Sequence, residues 1–148
     1  MREIKFRVWD KINKEFSNHT NRDPFMDLSM GDIFYWERRR NEDGVYEGDI
    51  ILKDENKNRF VLQQYTGLKD SSGKEIYEGD ICRFALMDGD EIISQDIGVV
   101  KFEKAAFILD GSDFDKDSHY LGDYITEENK TELEILGNIF ENPEILNK

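Results

Sequence analysis

Gln64-Tyr-Thr-Gly-Leu-Lys-Asp70-Ser-Ser-Gly-Lys-Glu-Ile-Tyr-Glu-Gly-Asp-Ile81 reads as continuous β structure. Glycine and aspartate recur at turn spacing, and the apolar residues between them lack a helical period. In Asp70-Ser-Ser-Gly73 the aspartate can bond amides just ahead of it and glycine tolerates positive φ, so a turn is predicted there. Gly79-Asp80 precedes a strand from Ile81 to Met87. Further on, Gly98-Val-Val-Lys-Phe102 and Ala106-Phe-Ile-Leu109 are joined by a link short enough to make them a hairpin. Leu133, Ile135, Ile139 and Phe140 bracket Gly137-Asn138 as a closing strand, and Asn142-Pro143 starts a final helical turn. Short strands punctuated in this way predict a small barrel or sandwich.

Toward the N-terminus, Ile4, Phe6 and Val8 alternate with Lys5, Arg7 and Trp9, which predicts a strand with one apolar face, followed by a turn and Phe16. Asp23-Pro24 offers a helix cap and a first-turn proline ahead of Phe25, Met26, Leu28 and Met30, so one short helix ending near Gly31 is expected. Ile33-Phe-Tyr-Trp36 and the segment from Val45 to Leu52 flank a turn at residues 41–44. They form a second hairpin with Arg38, Arg39 and Arg40 at its tip. Phe60-Val-Leu-Gln-Gln-Tyr65 closes this half as another strand. The expectation is a mainly β protein with minor α content, divided into a β-rich part at residues 1–65 and a barrel at residues 66–148.

The segment quoted first, together with the opening Met1-Arg-Glu-Ile-Lys-Phe-Arg-Val-Trp-Asp-Lys11 and the closing Leu136-Gly-Asn-Ile-Phe-Glu-Asn-Pro-Glu-Ile-Leu146, resembles the YopX family of phage- and prophage-encoded bacterial proteins. Residues 17–58 carry none of that likeness. The resemblance implies an SH3-like β-barrel in the C-terminal half and a phage origin. It brings no catalytic residue to carry over.

Composition bounds the function. Of 148 residues 36% are charged and 38% hydrophobic, with ten Phe, six Tyr and two Trp, too aromatic for a disordered acidic tail. The net charge of -13 opposes attraction to phosphate backbones and anionic lipid, so direct nucleic-acid binding is disfavoured. Cys82 is the single cysteine, which leaves no intrachain disulfide and fits a reducing bacterial cytoplasm. Neither a secretory h-region nor an apolar run long enough for a membrane span is visible.

Tyr-Glu-Gly-Asp-Ile occurs at residues 46–50 and again at 77–81, and each copy can end a turn and launch a strand without any functional role. Asp113, Asp115 and Asp117 alternate as in a calcium loop, but Ser118 stands where glycine is wanted and Tyr124 where a bidentate glutamate is wanted. A solvated acidic loop is the plainer reading, with a weak Ca²⁺ or Mg²⁺ site or metal-dependent enzyme across residues 110–123 as an alternative. His19 and His119 read as surface residues and Cys82 as a buried hydrophobe. Tyr35, Trp36, Arg38, Arg39 and Arg40 combine the residue types of binding hot spots and make the favoured partner-binding surface. Their plainer reading is aromatics packed inward and arginines neutralising neighbouring acids. The sequence therefore points to a non-enzymatic accessory protein acting through protein contact, with no cofactor and with homo-oligomers open. An acidic nucleic-acid mimic is the rival.

Overall fold

The computed structural model describes residues 3–17, 25–27, 32–54, 59–88, 91–111, 119–124 and 131–147. Twelve strands follow one another: β1 (Phe6–Asp10), β2 (Glu15–Phe16), β3 (Phe25–Asp27), β4 (Asp32–Arg40), β5 (Tyr46–Lys53), β6 (Phe60–Lys69), β7 (Glu75–Tyr77), β8 (Asp80–Asp88), β9 (Glu91–Glu103), β10 (Ala106–Gly111), β11 (His119–Tyr120) and β12 (Thr131–Asn138). Two 3-10 turns, Leu121–Tyr124 and Pro143–Asn147, are the helical content among the described residues. The protein is mainly β, as the strand periodicity predicts. Among the described residues no helix is long and apolar enough to cross a membrane.

The chain divides into two compact units, one of Met1–Phe6 with Gln63–Lys148 and one of Arg7–Leu62. The sequence pattern placed the division at Thr66 and left the N-terminus with the first part. The first residues instead join the C-terminal part because the Tyr65 amide donates to the Lys5 carbonyl and Lys5 Nζ pairs with Glu75 at 2.6 Å.

In the larger unit an antiparallel sheet of order β11-β10-β9-β8-β12 curls into a half-barrel, the form taken by the expected SH3-like barrel. Its concave side buries Cys82, Val100, Leu109 and Leu133 together with Ile76 and Leu121. Cys82 is wholly buried, in agreement with its plainer reading. The margin of β12 is sealed by the turn at residues 70–73. Ser71 N–H donates to the Leu133 carbonyl at 2.8 Å, Leu133 N–H donates to Ser71 Oγ at 3.1 Å, and Ile135 N–H donates to Asp70 Oδ2 at 3.3 Å. The β9–β10 hairpin turns through Lys104 and Ala105, both at positive φ (48° and 65°), the conformation a two-residue type I′ turn demands.

In the smaller unit a sheet of order β3-β4-β5 and the β1–β2 pair enclose Val8, Ile33 and Phe60, with Tyr35 and Leu62 packed against them. Two expectations change here. The short helix after Asp23-Pro24 is absent at Phe25–Asp27, which are extended and paired with Phe34, Ile33 and Asp32; the rest of that segment lies outside the described residues. Pairing with β4 overrides the local capping signal. Trp9, assigned by alternation to the polar face, is only 4% exposed because its ring stacks edge-on against Phe16 at 4.9 Å, while Ile4 is 68% exposed ahead of the strand.

Candidate interaction surface

The β4–β5 hairpin is built by its turn. Asn41 Oδ1 accepts from the amides of Asp43 and Val45 at 3.1 and 2.8 Å, and Arg40 Nη1 donates to the Gly44 carbonyl at 2.7 Å. Strand alternation then divides the five residues the sequence singled out. Tyr35 and Arg39 share one face, and Trp36, Arg38 and Arg40 share the other.

Tyr35 belongs to the interior. Its ring lies 5.1 Å from that of Phe60 and under the Arg59 guanidinium at 4.5 Å, and Arg59 in turn donates to Asp10 Oδ2 at 2.8 Å. Burial pushes the Asp10 carboxyl up, but the Arg59 bond and the Ile12 and Asn13 amides outweigh it and leave the group below the usual carboxylate range. Asp54 completes this corner by accepting from the Arg59 and Phe60 amides at 3.2 and 3.1 Å. Sequence reasoning missed Arg59, Asp10 and Asp54. The signal lay in bases and acids flanking apolar strand ends, which also describes ordinary surface charge.

The opposite face is open. Residues directly across an antiparallel pair share a face, so Ile51 stands beside Trp36, Asp49 beside Arg38 and Tyr46 beside Arg40. Trp36 is 38% exposed, Ile51 48% and Tyr46 52%, and the three arginines are exposed. Part of the plainer reading is also met, since Arg39 lies 3.8 Å from Glu47 and Arg40 holds the turn. The structure thus brings Trp36 and Arg38 together on one surface with Ile51 and Tyr46 and separates Tyr35 from them.

A groove of about 800 Å³ in the larger unit is floored by Ile97, Val99 and Leu136 and flanked by Ile145. Its bases are paired, Arg83 with Glu134 and Lys101 with Asp110, and Asp96 adds a further carboxylate to the lining, so it holds no uncompensated positive charge for an anionic ligand. Asp113, Asp115 and Asp117 lie outside the described residues, as does His19, while the backbone of His119 is in β11. Among the described residues no three His, Cys, Asp or Glu side chains form a metal-binding group.

The two copies of Tyr-Glu-Gly-Asp-Ile adopt different roles. The second ends β7 and opens β8, with Asp80 accepting from the Tyr77 amide at 2.8 Å and from Asn138 Nδ2 at 3.2 Å, while Gln63 Oε1 accepts from the same Asn138 nitrogen at 3.3 Å. The first lies inside β5, at the register shift between Arg39 and Arg40. The same five residues thus stand in two settings, a bulged strand in one copy and the turn between two strands in the other.

A small, mainly β protein made of a half-barrel unit and a hairpin-bearing unit, with an open aromatic face, is thereby defined. The family model described as YopX protein matches residues 5–147, and the chain belongs to that family. Among solved structures it is similar to protein EF1440 from Enterococcus faecalis, at 25% identity with 99% of each chain covered and a TM-score of 0.57. It is also similar to protein yopX from Bacillus subtilis, at 24% identity, the same coverage and a TM-score of 0.58. No curated protein matches it.

Proposed function

We propose that this chain is a non-enzymatic accessory protein of phage or prophage origin that works in the bacterial cytoplasm by binding another protein through the outer face of the β4–β5 hairpin. The observation that carries this reading is the adjacency of Trp36, Ile51, Arg38 and Tyr46 on one solvent-facing sheet surface. Tryptophan, tyrosine and arginine dominate binding hot spots, and an exposed indole beside an exposed isoleucine is costly in water unless something covers it. The test is comparative capture from host lysate with the intact chain and with Trp36→Ala. A protein retained by the first and lost by the second supports the reading, and identical captures by both overturn it.

A second reading is favoured by the charge distribution. The unit of Met1–Phe6 and Gln63–Lys148 holds 10 bases and 21 acids, whereas the unit of Arg7–Leu62 holds 10 bases and 12 acids. A concentrated negative surface suits an acidic mimic that occupies the nucleic-acid site of a host protein. Displacement of DNA from the captured host protein, abolished by salt, distinguishes this from contact through the hairpin.

A further inference from the structure

The groove in the larger unit has walls that follow from its sequence. Ile97, Val99 and Lys101 alternate with Gly98 and Val100 along β9, and Val100 belongs to the buried cluster, so the first three face away from that core. Arg83 and Asp110 stand directly across from Ile97 and Val99 and share their face. On the β12 side a bulge between Ile135 and Gly137 inserts Leu136, the kind of irregularity that re-aims a side chain beside a site. Gly137 then lets the chain fold back on itself, because a Cβ there would lie 2.5 Å from Asn142 Oδ1. The turn Pro143–Asn147 follows and brings Ile145 and Leu146 to the groove's wall. The resulting volume, about 800 Å³, is that of a small-molecule site.

We infer that this groove binds a small organic cation with an apolar body, such as an aryl-alkyl ammonium. The apolar requirement comes from the floor and from Leu146, which is 42% exposed and would be covered by such a body. Charge decides the rest. Arg83 and Lys101 are each held by a carboxylate, Glu134 and Asp110. Asp96 Oδ1 accepts from the Ile97 amide at 2.7 Å, which holds the carboxylate beside the floor, and among the described residues no base pairs with it. An anion would meet that carboxylate with no free base to offset it. An ammonium gains a charge-assisted contact there, beside an apolar surface that excludes water. The groove belongs to the larger unit and the hairpin face to the smaller, so the inference goes beyond partner binding through the hairpin and is tested apart from it.

The test is titration of the full, isotope-labelled chain with three probes that share one ring system, read from backbone amide resonances. Naphthylmethylamine is an ammonium at neutral pH, naphthylmethanol is neutral and naphthylacetate is an anion. The amides of Ile97, Val99 and Leu146 should shift and saturate, with the amine binding about fivefold tighter than the acid, a ratio of the size that one solvent-exposed charge contact supplies. Asp96→Asn keeps an oxygen to accept from the Ile97 amide, so its melting temperature should not change. It should bring amine and acid to equal affinity and leave the alcohol's affinity as it was. Leu146→Ser, at an exposed position, should weaken all three probes alike. Amine shifts that do not saturate, or that scatter over the acidic surface and spare the groove, overturn the inference. So do equal affinities of amine and acid for the intact chain and a preference that survives Asp96→Asn. Groove shifts that grow with protein concentration in the absence of any probe would mean that a second copy covers the site, and they overturn it as well.

Discussion

A methyl group added at Gly79 would sit 2.1 Å from Gln63 Nε2, in a backbone held at φ +77°. Gln63 is itself buried with Asn138 and Asp80, so it has little room to yield. Gly73 has a similar φ of +89° but open space around it. Gly73→Ala should therefore show backbone strain alone, about 1 kcal/mol, and Gly79→Ala clearly more. Denaturant unfolding of the two variants checks this, and equal losses would mean the clash is relieved at no cost. Acid should act on two other single residues. Burial raises the Asp70 carboxyl, but the Ser72 hydroxyl and the amides of Lys74, Ile135 and Ser72 more than offset it, so both Asp70 and Asp10 titrate below their ordinary range. A folded value below the unfolded one means stability that is full above about pH 4 and lost as pH falls through the folded values. Asp70→Asn should flatten the acid limb of a stability-against-pH curve while lowering stability at neutral pH.

Elements of this fold were legible wherever one face is dry and the other wet. The hairpin with its turn at residues 41–44 and the β9–β10 hairpin follow from alternation and turn chemistry, and both are present. Alternation failed at Trp9, whose ring packs against Phe16, its cross-strand partner in β2, and capping chemistry failed at Phe25, where a neighbouring strand supplied the hydrogen bonds. Of the surface, Trp36 and Arg38 were legible from residue type; the separation of Tyr35 and the addition of Ile51 and Tyr46 required strand register. The acidic stretch after Gly111 hid a core residue, Leu121, because one apolar side chain among acids carries no period. The same element view gives a stabilising change. Lys104 and Ala105 hold left-handed conformations that cost about 1–2 kcal/mol per residue for side chains with a Cβ, less for Asn or Gly. Lys104→Asn with Ala105→Gly should raise stability by roughly 1 kcal/mol, read as a higher denaturation midpoint. At the β12 margin, Ser71→Ala should speed amide exchange at Leu133 and leave the β8–β9 amides protected.

At the scale of the molecule, the two units differ in what holds them. The larger encloses six buried side chains in its main cluster and the smaller three among the described residues, a gap worth roughly 5 kcal/mol at the usual gain per buried apolar side chain. The smaller unit should therefore open first, and a single two-state transition is not expected. Both tryptophans, Trp9 and Trp36, belong to the smaller unit, so indole fluorescence follows it alone while far-ultraviolet circular dichroism follows both. In urea the fluorescence midpoint should precede the dichroism midpoint. Salt should narrow or widen this gap in a defined direction. With 10 bases to 21 acids the larger unit repels itself, whereas 10 against 12 leaves the smaller close to balance. Added sodium chloride shortens the reach of that repulsion to about 8 Å at physiological strength and less above it, so it stabilises the larger unit more. The gap between the two midpoints should widen with salt. Coincident transitions at every salt concentration would mean that the two cores unfold as one.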